Sequence, residues 1–175
     1  MKKVLALGII LVLSTHLLSQ DARTLYNKGV RHAKRGDYKQ AKTFFTGAIQ
    51  ENGFFTEAYY NRALAKSCLG EYASAIEDYT KAIELRPHFA IAYNNRGADK
   101  NELKDYQGAL EDYTKAIELD SAYARAYYNR GIVYYNLNEF DKAISNFTRA
   151  IDLQPEFKEA RFNKEMAQSK KDNFQ

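Results

Sequence analysis

The amino-acid sequence repeats itself every 34 residues from about residue 22 to its C-terminus. Five columns of similar residues recur in four successive rows without an insertion. The columns are Gly29, Ala63, Gly97 and Gly131; Tyr38, Tyr72, Tyr106 and Phe140; Ala41, Ala75, Ala109 and Ala143; Phe45, Tyr79, Tyr113 and Phe147; and Ala48, Ala82, Ala116 and Ala150. Self-similarity at this period is typical of stacked supersecondary units, which usually present a binding surface rather than a catalytic centre.

Each repeat has the pattern of two helices joined by a short turn. In the third repeat, residues 90–103 and 106–119 are the predicted helices, and the second has its apolar residues on one stripe at the helical period. Gly36 and Gly70 stand where first helices must end. Asp37 and Asp105 follow at the start of second helices, where negative charge is favoured.

The column pattern small, Tyr/Phe, Ala, Phe/Tyr, Ala resembles the tetratricopeptide repeat (TPR), and residues 92–97 (AYNNRG) and 106–119 (YQGALEDYTKAIEL) are close to its consensus. The resemblance implies an all-α fold, a right-handed α-solenoid of four 34-residue helix-turn-helix repeats plus a C-terminal capping helix. The repeats are predicted at residues 22–55, 56–89, 90–123 and 124–157, and the capping helix at 158–171. Lys66 and Lys100 depart from the pattern because they replace the usual aromatic residue of the first helix.

The predicted capping helix at 158–171 is more polar than the helices before it. A solenoid needs a final element with a solvated outer face. We expect Ala160, Phe162 and Met166 to cover the open end of the stack, with residues 172–175 frayed.

The charge pattern does not predict a nucleic-acid partner. The chain has 26 basic and 22 acidic residues, and two of the basic ones lie in a leader that we expect to be removed. Acids and bases alternate along the helices, as in Glu77 and Asp78 followed by Lys81. Such spacings are typical of solvated helix faces.

Residues 1–19 have the pattern of a secretory signal peptide. Lys2 and Lys3 precede an apolar run from Val4 to Leu13, and Ser19 is a small residue before a polar chain. We expect cleavage after Ser19 and export to the periplasm or the exterior, with no stable membrane insertion afterwards. The alternative is a membrane anchor formed by residues 4–18, although spanning a bilayer takes about 20 apolar residues.

Cys68 is the single cysteine, so no intramolecular disulfide can form. We expect it to be a small buried residue on its helix. The alternative is an intermolecular disulfide, since an exported protein can use an odd cysteine in this way.

The resemblance also implies that the first helices of successive repeats line a concave groove that accepts a peptide. In these helices one column is asparagine in every row: Asn27, Asn61, Asn95, Asn129 and Asn163. Because an amide offers both donors and an acceptor, this ladder could hold the backbone of a passing peptide. The alternative is that the asparagines only join neighbouring helices.

Other side chains are predicted to lie beside the ladder in the groove, and aromatic residues are frequent binding anchors. The predicted groove residues are Tyr26, Tyr60, Leu64, Asn94, Arg125, Tyr128 and Ile132. Ordinary contacts between repeats are the alternative role for some of them. A subgroup of the family grips a C-terminal carboxylate with several basic side chains, but Arg125 is the single basic residue at those places here, so this mode is not predicted.

No arrangement in the sequence predicts catalysis, a cofactor or a metal. The histidines His16, His32 and His88 lack metal-ligand spacing, and there is no glycine-rich phosphate loop. The predicted function is therefore a non-enzymatic interaction module that binds a peptide or protein segment in its groove. Two alternatives stay open, a scaffold subunit of a cell-envelope assembly and a groove for a glycan or lipid.

Overall fold

The structure, a computed structural model, describes residues 21–173, and these residues are helical apart from short turns. The predicted signal peptide, residues 1–19, lies outside the described residues. The helices are α1 (residues 21–34), α2 (Tyr38–Glu51), α3 (Thr56–Cys68), α4 (Tyr72–Leu85), α5 (Ala90–Glu102), α6 (Tyr106–Leu119), α7 (Ala124–Asn136), α8 (Phe140–Leu153) and α9 (Lys158–Asn173).

The helices pair into hairpins that follow the 34-residue period. Helix α6 has the bounds predicted for it, and α5 ends one residue before the predicted position. Helix α9 continues to Asn173, beyond its predicted end at residue 171. Within residues 21–173 there is no strand, so the predicted all-α helical repeat fold is confirmed.

The helices form two compact units. The first ends at Leu85 and contains α1 to α4, and the second begins at Arg86 and contains α5 to α9. Within the first unit α2 packs on α3 and α3 on α4, and within the second unit α5 packs on α6, α6 on α7, α7 on α8 and α8 on α9. Each helix is therefore held by its neighbours along the chain.

The turn inside each hairpin contains one residue with a left-handed backbone. Gly36 and Gly70 have φ of 78° and 76°, as expected for glycine at the end of a helix. Lys104 and Asn138 occupy the same place in the later hairpins with φ of 62° and 58°. The predicted acidic starts are also present, since the Asp105 carboxylate accepts a hydrogen bond from the Gly108 N–H at 3.0 Å.

The core of each hairpin combines small residues with large rings. The alanine columns that begin at Ala41 and Ala48 are buried in every repeat. Phe45, Tyr79, Tyr113 and Phe147 are among the largest fully buried side chains. At Gly131, a Cβ atom would lie only 2.7 Å from the Phe147 ring, so the first helix can approach the second because the side chain is missing.

Two expectations about burial are wrong. Cys68 is exposed rather than buried, because it is the last residue of α3. Phe162 and Met166 are exposed as well, although Ala160 is buried as predicted. Helix α9 instead packs through Ala160 and Ala167, which are both fully buried.

Candidate binding surface

The asparagine column lies at the joints between successive first helices. In the first unit the Asn61 Nδ2 donates hydrogen bonds to the Tyr26 hydroxyl at 3.0 Å and to the Glu57 carbonyl at 2.8 Å. Helix α3 is thereby tied to α1 by a side-chain bond across residues 35 apart in the sequence. The ring of Phe55 contacts the Tyr26 ring at a centroid distance of 4.9 Å, so the joint is also apolar.

The second unit contains the same joint between α7 and α9. The Asn163 Nδ2 donates to the Tyr128 hydroxyl at 2.9 Å. The Phe157 ring lies 4.8 Å from the Tyr128 ring, again between centroids. Tyrosine and asparagine therefore form a repeated latch between neighbouring first helices.

A variant of this latch, built from amides alone, joins α5 to α7. Asn94 stands in the column of Tyr26 and Tyr128, and its Oδ1 accepts a hydrogen bond from the Asn129 Nδ2 at 3.0 Å. The Asn94 Nδ2 in turn donates to the Asn95 Oδ1 at 3.0 Å. Asn94 is buried, so this chain of amides satisfies polar groups that would otherwise be costly.

The latch tyrosines carry protonated hydroxyls at neutral pH. Burial raises the pKa of Tyr26 above its ordinary value, and the nearby Glu57 raises it further, although the bond from Asn61 acts in the opposite direction. Burial and Glu159 raise the pKa of Tyr128 in the same way. The neutral hydroxyl is the form that fits a buried joint.

Most of the predicted groove residues lie close together in the structure, but they contact one another between neighbouring first helices. The pairs Tyr26–Asn61, Asn94–Asn129 and Tyr128–Asn163 are in direct contact, whereas Asn27 is exposed on α1. These bonds agree with the alternative in which the asparagines join neighbouring helices. The peptide-backbone clamp stays a prediction.

The remaining predicted groove residues divide between packed and exposed positions. Tyr60 packs on Tyr79 with ring centroids 5.9 Å apart, and Leu64 is half-buried. Ile132 packs against the core formed by α8 and α9. Arg125 is exposed, with its guanidinium 5.6 Å from the Phe157 ring centroid.

Three large apolar side chains are exposed on the first helices of the second unit. Ile91 is 42% exposed on α5, and on α9 Phe162 is 62% and Met166 is 41% exposed. By the 34-residue period, Ile91 stands in the column of Arg125, and Phe162 and Met166 stand in the columns of Tyr128 and Ile132. All three therefore belong to columns in which groove residues were predicted.

Buried ion clusters inside the hairpins were missed by the sequence analysis. In the first unit the Asp78 carboxylate binds Arg62 at 2.6 Å and Lys66 at 2.7 Å. Lys66, which stands where the TPR pattern usually has an aromatic residue, is therefore an ionic partner of Asp78. The prediction that Asp78 lies on a solvated face is wrong, because the side chain is buried against α3.

The next hairpins show the same cluster and then a neutral version of it. Asp112 binds Arg96 at 2.6 Å and Lys100 at 2.9 Å. In the last hairpin Arg130 instead donates to the Asn146 Oδ1 at 2.9 Å, and Tyr134 stands in the column of Lys100. The sequence signal was an arginine 16 residues before an acidic residue, repeated at the 34-residue period.

The described part of the chain contains no residue group that could hold a metal. Within residues 21–173 no three His, Cys, Asp or Glu side chains come together in such a cluster. No helix in that range has the length and apolar character needed to cross a membrane.

These hairpins, with a ring against a small residue in each and a latch between neighbours, define a helical repeat protein. The sequence matches the family model described as Tetratricopeptide repeat at residues 56–89 and 124–157, and the model described as TPR repeat at residues 100–138. Together the matches cover more than half of the chain. The chain belongs to the tetratricopeptide repeat family.

Solved structures of TPR proteins are similar to the chain over most of its length. MamA from Desulfovibrio magneticus RS-1 is 27% identical, with a TM-score of 0.81 over 87% of this chain and 86% of that chain. The Arabidopsis OM64 TPR domain is 30% identical, with a TM-score of 0.64 over 65% of this chain and 94% of that domain. YrrB, described as a TPR protein with an unusual peptide-binding site, is 24% identical and has a TM-score of 0.76 over 94% of this chain and 86% of that chain, which supports the fold alone. No curated protein matches the sequence significantly.

Proposed function

We propose that the chain binds a peptide or protein segment on the first-helix surface of its second unit, formed by the exposed side of α5, α7 and α9. TPR domains are protein–protein interaction modules, and their fold is generally a non-enzymatic scaffold.

The exposure of Ile91, Phe162 and Met166 supports the proposal most strongly. Large apolar side chains on a protein surface cost little singly, but several of them in columns that are predicted to line the groove are typical of an interaction site. Arg125 is exposed in the column of Ile91, and its guanidinium can bind a carboxylate or a carbonyl of a partner. The surface therefore suits a segment that combines apolar side chains with a hydrogen-bond acceptor.

Peptides selected from a displayed library on the purified chain would test the proposal. We expect Phe162→Ser and Arg125→Ala each to weaken the best selected peptide by about tenfold, as loss of an anchor does. Leu103→Ser is the matched control, since Leu103 is also an exposed large apolar residue but follows α5 in the turn before α6. Equal binding by the Phe162 and Leu103 variants would contradict the proposed surface.

A separate variant tests whether the asparagine ladder also clamps the peptide backbone. Asn61, Asn95 and Asn129 are changed to alanine together, and both stability and peptide affinity are measured. Loss of the latches should lower stability by about 1 kcal/mol for each hydrogen bond removed. A fall in stability with unchanged affinity would show that the ladder serves the joints and not the peptide.

We also propose that residues 1–19 direct export and are removed after Ser19. The basic start, the apolar run and the small residue before the polar chain support this assignment. N-terminal sequencing of the protein recovered from a bacterial envelope fraction should begin at Gln20. Recovery with Met1 in the membrane fraction would favour the anchor alternative instead.

A further inference from the structure

A cavity of about 770 Å³ lies between α2 and α4 in the first unit. Leu25, Phe44 and Gly47 contribute apolar surface to it, and Lys42 and Lys66 contribute charge. We call it the second-helix cavity. Neither Tyr26 nor Asn61 lines it, so it is separate from the latch between α1 and α3.

Helix α2 lacks the acidic residues that α4 and α6 carry at the same positions. At three positions that line the cavity, α2 carries the uncharged residues Thr43, Phe44 and Gln50. The corresponding residues are Glu77, Asp78 and Glu84 in α4, and Glu111, Asp112 and Glu118 in α6. At the positions of Thr43 and Gln50 the cavity wall therefore lacks a negative charge. Asp78 and Asp112, in the column of Phe44, are buried inside their own hairpins.

A glycine also removes the long side chain that would extend over the cavity. Gly47 stands in the column of Lys81, Lys115 and Arg149. A Cβ atom at Gly47 would meet the Leu25 Cδ1 at 3.3 Å, so the glycine lies directly beside the apolar floor. A basic side chain at this position would take up space that the glycine leaves open.

The corresponding place in the second unit shows what the usual repeat residues produce. A smaller cavity of about 500 Å³ lies between α6 and α8, and Glu111, Glu118 and Glu139 line it together with Lys115 and Lys142. Three carboxylates and two lysines make that cavity acidic. The cavity in the first unit is larger and carries the opposite charge balance.

The charged residues that line the second-helix cavity are two lysines and one glutamate. Lys42 is paired with Glu71 at 2.6 Å, and Lys66 is paired with Asp78 at 2.7 Å while its Nζ also donates to the Ser74 carbonyl at 3.0 Å. Lys66 is therefore held in place, whereas Lys42 stands at the rim with a partner that is itself partly exposed. Because the lining carries one more lysine than carboxylate, an anionic group in the cavity would meet a net positive charge.

We propose that the second-helix cavity binds a bulky apolar side chain from an acidic peptide segment of a partner protein. The volume lies in the range of ligand sites and holds one or two large side chains. Leu25 and Phe44 supply the apolar contact, and the net positive charge of the lining attracts carboxylates that flank the anchor. This site is additional to the first-helix surface of the second unit and does not depend on it.

Fluorescence polarisation with a labelled decapeptide tests the site on the purified chain. The probe carries one phenylalanine and one leucine among aspartate and glutamate residues. Restoring the repeat residue with Gly47→Lys should weaken its binding by about tenfold, because the side chain fills the cavity. Restoring the acids with Thr43→Glu and Gln50→Glu together should weaken it by about tenfold through like charge, and added salt should shrink that difference.

The matched control is Lys115→Gly, which makes the converse change in the second unit and should leave binding within about twofold of the unchanged chain. Phe162→Ser should likewise have no effect, which separates this site from the proposed first-helix surface. Thermal midpoints confirm that each variant is folded, and the double glutamate variant keeps the test informative if Gly47→Lys is unstable.

Several results would overturn the proposal. One is the absence of saturable binding at millimolar probe concentration. Another is that a probe with lysines in place of its acids binds as tightly as the acidic probe. The third is that the folded Gly47→Lys chain binds the acidic probe as tightly as the unchanged chain. Saturable binding of sodium decanoate in calorimetry, with no binding by any acidic peptide, would identify a small amphiphile as the occupant and would also reject the proposal.

Discussion

At the scale of single residues, the packing of each hairpin depends on a ring that lies against a residue with little or no side chain. Cβ atoms placed at Gly29 and Gly131 would approach the rings of Phe45 and Phe147 to 2.6 and 2.7 Å. At Gly97 the distance to the Tyr113 ring would be 3.0 Å. Real Cβ atoms do not approach a ring closer than this without displacing it, so one methyl group is a sensitive probe of the packing.

We therefore expect Gly131→Ala to destabilise the protein by about 1–3 kcal/mol, as overpacking of a core does. Gly97→Ala should cost less, since its closest contact is longer. Urea denaturation measures both. Gly53→Ala is the control, because a Cβ there would meet nothing within 4 Å. Equal stability of the Gly131 and Gly53 variants would contradict the described packing.

The left-handed turn residues give a second residue-scale prediction, in the stabilising direction. Lys104 has a φ of 62° at a place where Gly36 and Gly70 occur in earlier repeats. A non-glycine residue pays about 1–2 kcal/mol in this region, and the added freedom of glycine in the unfolded chain offsets part of the gain.

Lys104→Gly should therefore raise stability by about 0.5–1 kcal/mol, measured as a shift of the thermal midpoint. Lys39→Gly is the control. Lys39 is an exposed lysine in the first turn of α2, where glycine should not raise stability. A loss of stability in the Lys104 variant would mean that its backbone is not left-handed in solution.

At the scale of helices, the two α-helices of the central hairpins are joined by ionic clusters as well as by apolar contact. Asp112 is shared by Arg96 and Lys100, and all three side chains are largely buried. Removing one partner from such a cluster leaves uncompensated charge in a place with little water. The last hairpin avoids this problem with a neutral pair, Arg130 and Asn146.

This difference predicts a compensating double change. Asp112→Asn alone should cost about 3–5 kcal/mol, because Arg96 and Lys100 then repel each other without a carboxylate between them. Adding Lys100→Tyr reproduces the arrangement of Tyr134 and Asn146. The pair should be more stable than the sum of the single changes by more than about 1 kcal/mol, measured in a double-mutant cycle. Strict additivity would show that the two side chains do not interact.

The hairpins were predictable from the sequence because their packing obeys a local periodicity. The rings and alanines recur at fixed offsets, so α6 could be placed without any tertiary information. Asp78 shows where this reasoning fails. Its spacing to Lys81 on the same helix suggested a solvated ion pair, but its partners Arg62 and Lys66 lie on the other helix of the hairpin. The spacing of charges within one helix does not show which residues of another helix form ion pairs with them.

The sequence was sufficient to predict which repeat positions form the candidate binding surface, but not which side chains contact each other there. The period identified Tyr128 and Asn163 as related positions, yet their mutual hydrogen bond depends on how far α9 lies from α7. The exposure of Phe162 was missed for a related reason. Within each unit the next first helix contacts this column, as at Tyr26 and Tyr128, and no helix follows α9 among the described residues.

At the scale of the whole molecule, stability in a repeat protein comes from each hairpin and from the interface with its neighbour. Within the second unit, α7 lies among packed helices, whereas α9 packs on α8 and α7 and leaves Phe162 exposed. The outermost helix should therefore open most easily.

Amide hydrogen exchange should reveal this order. We expect amides in the middle of α9 to exchange at least about tenfold faster than those in the middle of α7. A peptide that binds the first-helix surface should slow exchange in α9. Equal protection of α7 and α9 in the free chain would contradict an end that frays first.

The column of small residues that pack against the rings is interrupted on α9, and this affects how a further helix could be added. After Gly29, Ala63, Gly97 and Gly131, the next position at the same spacing is Glu165, which is exposed on α9. A ring like that of Phe147 could not seat against it, since even a methyl group at Gly131 would collide. A second helix designed to pack a ring on α9 would accordingly require Glu165 to be replaced by glycine or alanine.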